Sequence, residues 1–153
     1  MVMASWARAF PGAPEQVRAA RRFVASLLDG SSFAGDAVAI VSELFTNALV
    51  HTASGGPGGL VVVQVTRWRH GVRIAVTDQG SGKDPVIRHP SPDGELAETG
   101  SGLFLVRQLS HQLGWHDDAS GRTVHATLGT SPPGRSHRPG SHASHVPKLP
   151  QPA

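Results

Sequence analysis

Residues 72–82 read Val72-Arg73-Ile74-Ala75-Val76-Thr77-Asp78-Gln79-Gly80-Ser81-Gly82. Side chains alternate between the two faces of a strand, so Val72, Ile74 and Val76 share one side and mark it as buried. Asp78 continues their parity, which turns a carboxylate toward the apolar side. A charge taken out of water needs a donor. Two readings are open: an acid that opens the turn Asp78-Gln79-Gly80, a common turn composition, or an acid held for a ligand.

Outward from this stretch the chain parses into alternating elements. Residues 60–66 form a second apolar, β-branched run, linked to 72–77 by a short polar connection containing Gly71, and the pair predicts an antiparallel hairpin. Residues 5–10 predict a short strand stopped by Pro11. Pro14 then opens a helix through Leu28, with Val17, Phe23, Val24 and Leu27 as its apolar stripe and Gly30 as its stop. A second helix is predicted over 35–51, ending at the glycine-rich residues 55–59. On the other side, residues 79–98 predict a long loop, of a length usually reserved for functional lids or disordered segments. Residues 102–113 predict a third helix. Residues 115–118 and 122–128 predict a closing hairpin that turns at Ala119-Ser120-Gly121. The expected fold class is α/β (α+β), a two-layer sandwich with helices on one face of a mixed, mainly antiparallel sheet.

The chain has 153 residues, enough for one domain with its own core. Residues 131–153 hold six of the twelve prolines, three histidines and almost nothing apolar, so they are expected to form a disordered tail after a domain spanning 1–130. The tail histidines (His137, His142, His145) lack the spacing of a metal site. All eleven acidic residues precede Thr130, as do eleven of the fourteen Lys and Arg, which leaves the domain formally neutral. Such a balance argues against nucleic acid as a partner. The absence of cysteine excludes a disulfide framework and fits a reducing cytosol. No apolar run reaches membrane-spanning length, and residues 1–14 do not have the pattern of a signal peptide. A cytoplasmic location is expected.

The second helix, Ala34-Gly35-Asp36-Ala37-Val38-Ala39-Ile40-Val41-Ser42-Glu43-Leu44-Phe45-Thr46-Asn47-Ala48-Leu49-Val50-His51, is apolar around most of its circumference and should be largely buried. Asp36, Glu43, Asn47 and His51 fall along one narrow stripe of it. Either the stripe faces water or neighbouring backbone, or it lines a site. In the second case Asn47 offers an amide oxygen to Mg²⁺, a hard ion that keeps several waters. Glu43, one turn away, is then placed to orient or deprotonate a nucleophile. His51 reads as a cap or surface residue. Asp78, as a buried acceptor, suits the exocyclic amino group of adenine.

Gly80 and Gly82 follow Asp78 at once, and Gly100 and Gly102 open the third helix, where backbone N–H groups can approach a phosphate closely. The dinucleotide fingerprint is incomplete, and neither a P-loop nor the eukaryotic protein-kinase motifs occur. Taken in order, Glu-Leu-x-x-Asn-Ala at 43–48 with His51, Asp-x-Gly-x-Gly at 78–82, a long loop, and Gly-x-Gly-Leu-x-Leu-Val at 100–106 resemble the GHKL ATP-binding superfamily. That group includes gyrase, histidine kinase catalytic domains and anti-sigma-factor serine kinases. The resemblance covers roughly residues 5–128.

Within the superfamily the chain looks most like the short anti-sigma-factor kinases. A histidine kinase is expected to carry an upstream dimerisation helix, for which there is no room before Pro14. The resemblance implies ATP and Mg²⁺ as cofactors, Glu43 as catalytic base and Asn47 as Mg²⁺ ligand. It implies Asp78 for the adenine amino group, Gly80 and Gly82 for the base end of the pocket, and Gly100 and Gly102 for the lid hinge and phosphates. Thr123 is implied to support the adenine contact, although its parity is opposite to that of Val124, Ala126 and Leu128. Residues 81–99 become an ATP lid carrying Lys83 and Arg88. The implied activity is serine/threonine phosphorylation of an anti-anti-sigma-like partner with sequestration of a sigma factor, in a possible homodimer. The alternatives are a non-catalytic ATP-binding regulatory module that switches partner affinity through its lid, and an interaction domain without nucleotide.

Overall fold

The computed structural model describes residues 3–80, 102–119 and 121–133. The strands are β1 (Ala4–Pro11), β2 (Leu60–Trp68), β3 (Gly71–Asp78), β4 (Gln112–Asp118) and β5 (Gly121–Gly129). The helices are α1 (Gln16–Leu27), α2 (Ala34–His51) and α3 (Gly102–Leu109), and a single 3₁₀ turn, Ala53–Gly55, follows α2. The strands form one sheet in the order β1-β2-β3-β5-β4. Among the described residues every pairing is antiparallel, where a mixed, mainly antiparallel sheet was expected.

The alternation read from the sequence decides which face carries the helices. Val61, Val63 and Val65 of β2, Val72, Ile74 and Val76 of β3, and Val124, Ala126 and Leu128 of β5 are all buried on one face. There they join Ala20 and Val24 of α1 and Ala37, Ile40, Val41, Leu44, Phe45 and Ala48 of α2 in a single core. Phe10 ties three elements together by meeting Phe23 and Phe45 edge-to-face, with ring centroids 5.9 and 6.0 Å apart, a favoured aromatic geometry. The second face is more polar: Thr77 and Thr123 share a hydroxyl hydrogen bond of 2.8 Å, and Ser5 and Thr66 share one of 3.0 Å. Trp68, Ala75, His125 and Thr127 are nonetheless buried on that side. Among the described residues no helix is long and apolar enough to cross a membrane.

Several expected boundaries move; β2 runs on to Trp68 and β4 starts at Gln112. Helix α1 begins at Gln16 rather than Pro14, after a turn in which the Val17 N–H reaches the Pro14 carbonyl at 3.2 Å. Helix α3 stops at Leu109 instead of running to Leu113. Leu113 lies in β4, opposite Ala126, and the His111 N–H donates to the Thr127 carbonyl at 2.7 Å. The sequence after Leu109 keeps an apolar residue one helical turn on, but pairing with β5 satisfies this backbone instead. Of the expected tail of 131–153, residues 134–153 lie outside the described residues.

Candidate functional site

Helix α2 packs on β3, and its polar stripe grades from solvent inward. Asp36 in the first turn is exposed, whereas Glu43 and Asn47 are half-buried. His51 is the last residue of α2; its side chain lies outside the described residues. Glu43 reaches across to the start of α3. A Cβ built on Gly102 would stand 2.5 Å from Glu43 Oε2, so only glycine lets this carboxylate lie against the helix backbone. The first turn of a helix is where a negative charge is favoured, by its unpaired N–H groups and by the dipole. Two residues fifty-nine positions apart, each singled out from the sequence, are thus in contact.

At the other end of the site Asp78 closes β3 and is 4% exposed. The Gly80 N–H donates to Asp78 Oδ1 at 2.7 Å, and Gly80 takes a φ of +76°. The turn reading and the buried reading therefore both hold: the bond to Gly80 occupies one of the two carboxylate oxygens, and the group as a whole points to the helix-covered face. Burial pushes the Asp78 carboxyl above the ordinary carboxylate range, opposed by the Gly80 N–H and by the charge of Arg122. Gly121, at the start of β5, has φ +134° and its backbone lies so close to the Asp78 carbonyl that a Cβ would overlap it.

A hydrogen-bonded connection sets the position of this acid. The Thr52 hydroxyl donates to the Ala48 carbonyl at 2.6 Å, and the Ser54 N–H donates to Thr52 Oγ1 at 3.1 Å. Ser54 is fully buried, and its Oγ accepts the Gln79 N–H at 2.9 Å. Gln79 Oε1 in turn accepts the Leu60 N–H at 3.1 Å. The end of α2, the start of β2 and the end of β3 are pinned together by residues the sequence reading did not single out. Their only signal was the glycine-rich run beside Ser54.

Arg122 was also missed. It stands directly across from Asp78 in the β3–β5 register and is 5% exposed. Its Nε donates to Asp117 Oδ1 at 2.7 Å and its Nη2 to Asp117 Oδ2 at 3.1 Å. The hydrogen bond from Arg122 is the main reason the Asp117 carboxyl lies below the usual range. The parity that marked Asp78 would have found Arg122 as well, since it continues the row of Leu128, Ala126 and Val124. Thr123, by contrast, faces the opposite side of the sheet, where it meets Thr77. The structure therefore brings Glu43 to Gly102 and groups Asp78 with Gly80, but sets Thr123 apart from both. Gly82, Gly100, Lys83, Arg88 and the rest of the expected lid lie outside the described residues.

The arrangement offers a buried acceptor at the end of β3 and, on α2, a carboxylate beside the start of α3 with an amide one turn further along. Residues 10–128 match the family described as a histidine kinase-like ATPase domain. The anti-sigma F factor of Anoxybacillus flavithermus is 28% identical over 78 residues, covering 48% of this chain and 53% of that protein. The anti-sigma F factor of Bacillus cytotoxicus is 28% identical over 93 residues, 58% of this chain and 64% of that protein. An uncharacterized protein of Arabidopsis thaliana is 35% identical over 77 residues, 50% of this chain but 12% of its own length. The chain thus spans less than two thirds of the length of each of these relatives.

Proposed function

From the premise that this chain belongs to the histidine kinase-like ATPase domain family, we propose that it binds ATP with Mg²⁺ and transfers the γ-phosphoryl group to a serine or threonine of a protein partner. The partner class is an anti-anti-sigma-like protein, and in the unphosphorylated cycle the domain holds a sigma factor in the cytoplasm. The similarity to two anti-sigma F factors supports this class. The observation that carries phosphoryl transfer is the Glu43 carboxylate lying against Gly102 at the start of α3, since binding alone requires no base at that place.

The residues present fit the nucleotide and its ion by their chemistry. Asp78, buried with an acceptor oxygen on the helix-covered face, suits the adenine amino group. Asn47, half-buried one turn from Glu43, provides a hard oxygen of the kind Mg²⁺ takes alongside phosphate oxygens and water. The chemistry Mg²⁺ supplies when bound is neutralisation of charge on the β- and γ-phosphates. Glu43 accepts the proton of the attacking hydroxyl. That oxygen forms a bond to the γ-phosphorus, the bond to the β–γ bridging oxygen breaks, and ADP leaves. The start of α3, with its N–H groups and glycine backbone, favours the anionic phosphates.

Incubation with γ-labelled ATP and an anti-anti-sigma-type protein tests the proposal. Glu43→Gln is expected to abolish the labelled phosphoprotein while leaving ATP binding within about threefold, because its amide cannot take the proton. Transfer that survives Glu43→Gln sinks the assigned role. ATP binding by the wild-type chain with no phosphoprotein under any partner supports the regulatory module instead.

A further inference from the structure

We propose that Ser54 is a positioning residue for the base of the nucleotide: its hydroxyl sets where the Asp78 carboxylate stands, and with it how well the site recognises the amino group of adenine. The inference rests on the ATP-binding reading above. Its ground is the place where β2 lets go of β3. The register between these strands runs from Trp68 opposite Gly71 to Val62 opposite Thr77 and ends there. Continued, it would set Val61 opposite Asp78 and Leu60 opposite Gln79. At that point two side-chain hydrogen bonds hold the chain. The Leu60 N–H donates to Gln79 Oε1 at 3.1 Å, and the Gln79 N–H donates to Ser54 Oγ at 2.9 Å. Asp78 is thus paired with β5 on one side, while the peptide that follows it is held by a hydroxyl from the turn after α2.

Ser54 is itself fixed. It is fully buried, and its N–H donates to Thr52 Oγ1 at 3.1 Å. Its carbonyl is enclosed by glycines from two other segments: a Cβ on Gly12 or on Gly59 would overlap the Ser54 oxygen. The Gly12 N–H closes this knot on the Gly59 carbonyl at 2.8 Å. Burying a hydroxyl costs free energy unless it is hydrogen-bonded, and the bond printed on this one reaches the middle of the turn Asp78-Gln79-Gly80. The outer residue of that turn, Gly80, donates its N–H to Asp78 Oδ1. A shift of the Gln79 peptide is therefore passed to the carboxylate from both ends, and a binding group keeps its geometry only when the residues behind it are locked.

This role differs in its consequences from a structural one. A bond that only stabilises the fold weakens every nucleotide alike when it is removed. A bond that orients one acceptor weakens those nucleotides that use the acceptor and spares those that do not, which is the coupling a double-mutant cycle reads. Adenine uses Asp78 through its 6-amino group; a purine without that group does not.

The full chain is titrated, with Mg²⁺, against ATP and against purine riboside triphosphate, in which hydrogen replaces the 6-amino group. Wild type is expected to bind the analogue about tenfold or more weakly than ATP. In Ser54→Ala the affinity for ATP should fall about tenfold and that for the analogue by less than about threefold, so the preference largely disappears. Equal losses for both nucleotides, or a preference as large as that of wild type, overturn the inference and leave Ser54 as a clasp between α2 and β3. If Ser54→Ala fails to fold, Thr52→Val decides, since it removes the hydroxyl that accepts the Ser54 N–H. It should narrow the preference about threefold or more, and an unchanged preference overturns the inference. Wild type that binds both nucleotides equally removes the Asp78 contact and this inference with it while ATP binding stands. No ATP binding by wild type removes the underlying reading as well.

Discussion

On the helix-covered face of β3 and β5, three successive cross-strand pairs are apolar and the fourth is charged. Val72 faces Leu128, Ile74 faces Ala126 and Val76 faces Val124; then Asp78 faces Arg122. All eight side chains are buried. The same backbone, register and degree of burial thus support two kinds of surface within one strand length. At the apolar end, burial is stabilising in itself, by roughly 25 cal/mol for each Å² of apolar surface removed from water. At the charged end it is a cost that hydrogen bonds only offset. The difference between the ends marks where the apolar rows of the core stop.

The two ends should part most clearly under substitution. The largest effect belongs to Ile74→Ala, which removes a fully buried side chain from a central strand. It is expected to lower the unfolding free energy by about 2–5 kcal/mol, read by denaturant titration, with the ATP affinity of the remaining folded fraction unchanged. Asp78→Asn is the counterpart at the charged end. ATP affinity should fall on the order of ten- to a hundredfold by calorimetry, while stability at neutral pH holds or rises. A large loss of stability with ATP affinity intact would erase the distinction between the ends.

The pH profile sharpens the same contrast. The Asp78 carboxyl is raised in the folded state, so above the ordinary carboxylate value the native chain holds a proton the unfolded chain has lost. Its contribution to stability therefore declines as pH rises from the ordinary value through the raised one. Asp117 is lowered, so what it contributes is present above the ordinary value and is lost as pH falls through its native one. Asp117 is well exposed, so its part is screened and small. Thermal unfolding across mildly acid pH should show the Asp78 decline in wild type and its removal in Asp78→Asn.

Gly102→Ala is a smaller perturbation, aimed at the other half of the site. Its new methyl displaces the mobile end of Glu43 rather than backbone. Stability should change by less than about 1 kcal/mol, while phosphoryl transfer falls about tenfold from misplacement of the base. The smallest effect is expected from Thr77→Val on the opposite face, where one hydroxyl pair is lost: about 0.5–1.5 kcal/mol in stability and no change in ATP affinity.

Much of this was legible in the chain. Strand parity placed Asp78 on the buried side, and helical spacing put Glu43 and Asn47 on one stripe. The order of the glycine motifs identified the family. Three matters were not legible. The insertion of β5 between β3 and β4 is a long-range choice that hairpin signals cannot state, since adjacency in sequence favours the pairing β4–β5 and is silent on what β5 does next. The end of α3 was misread because Leu109 and Leu113 satisfy a helical period while Leu113, Trp115 and Asp117 satisfy a strand period as well. Arg122 went unnoticed because a charged residue at a strand start is ordinarily read as its solvated end. Only the pairing with Asp78 reveals that it lies within the row.

The hydrogen bonds that run from the Ala48 carbonyl through Thr52 and Ser54 to Gln79 have a mechanical meaning. Helix α2 and strand β3 act as the two jaws of a caliper, one carrying Glu43 and Asn47 and the other Asp78, and the Ser54 hydroxyl sets the opening between them. On the proposed function, a spacing already held by these bonds would leave little ordering cost for a nucleotide that spans it.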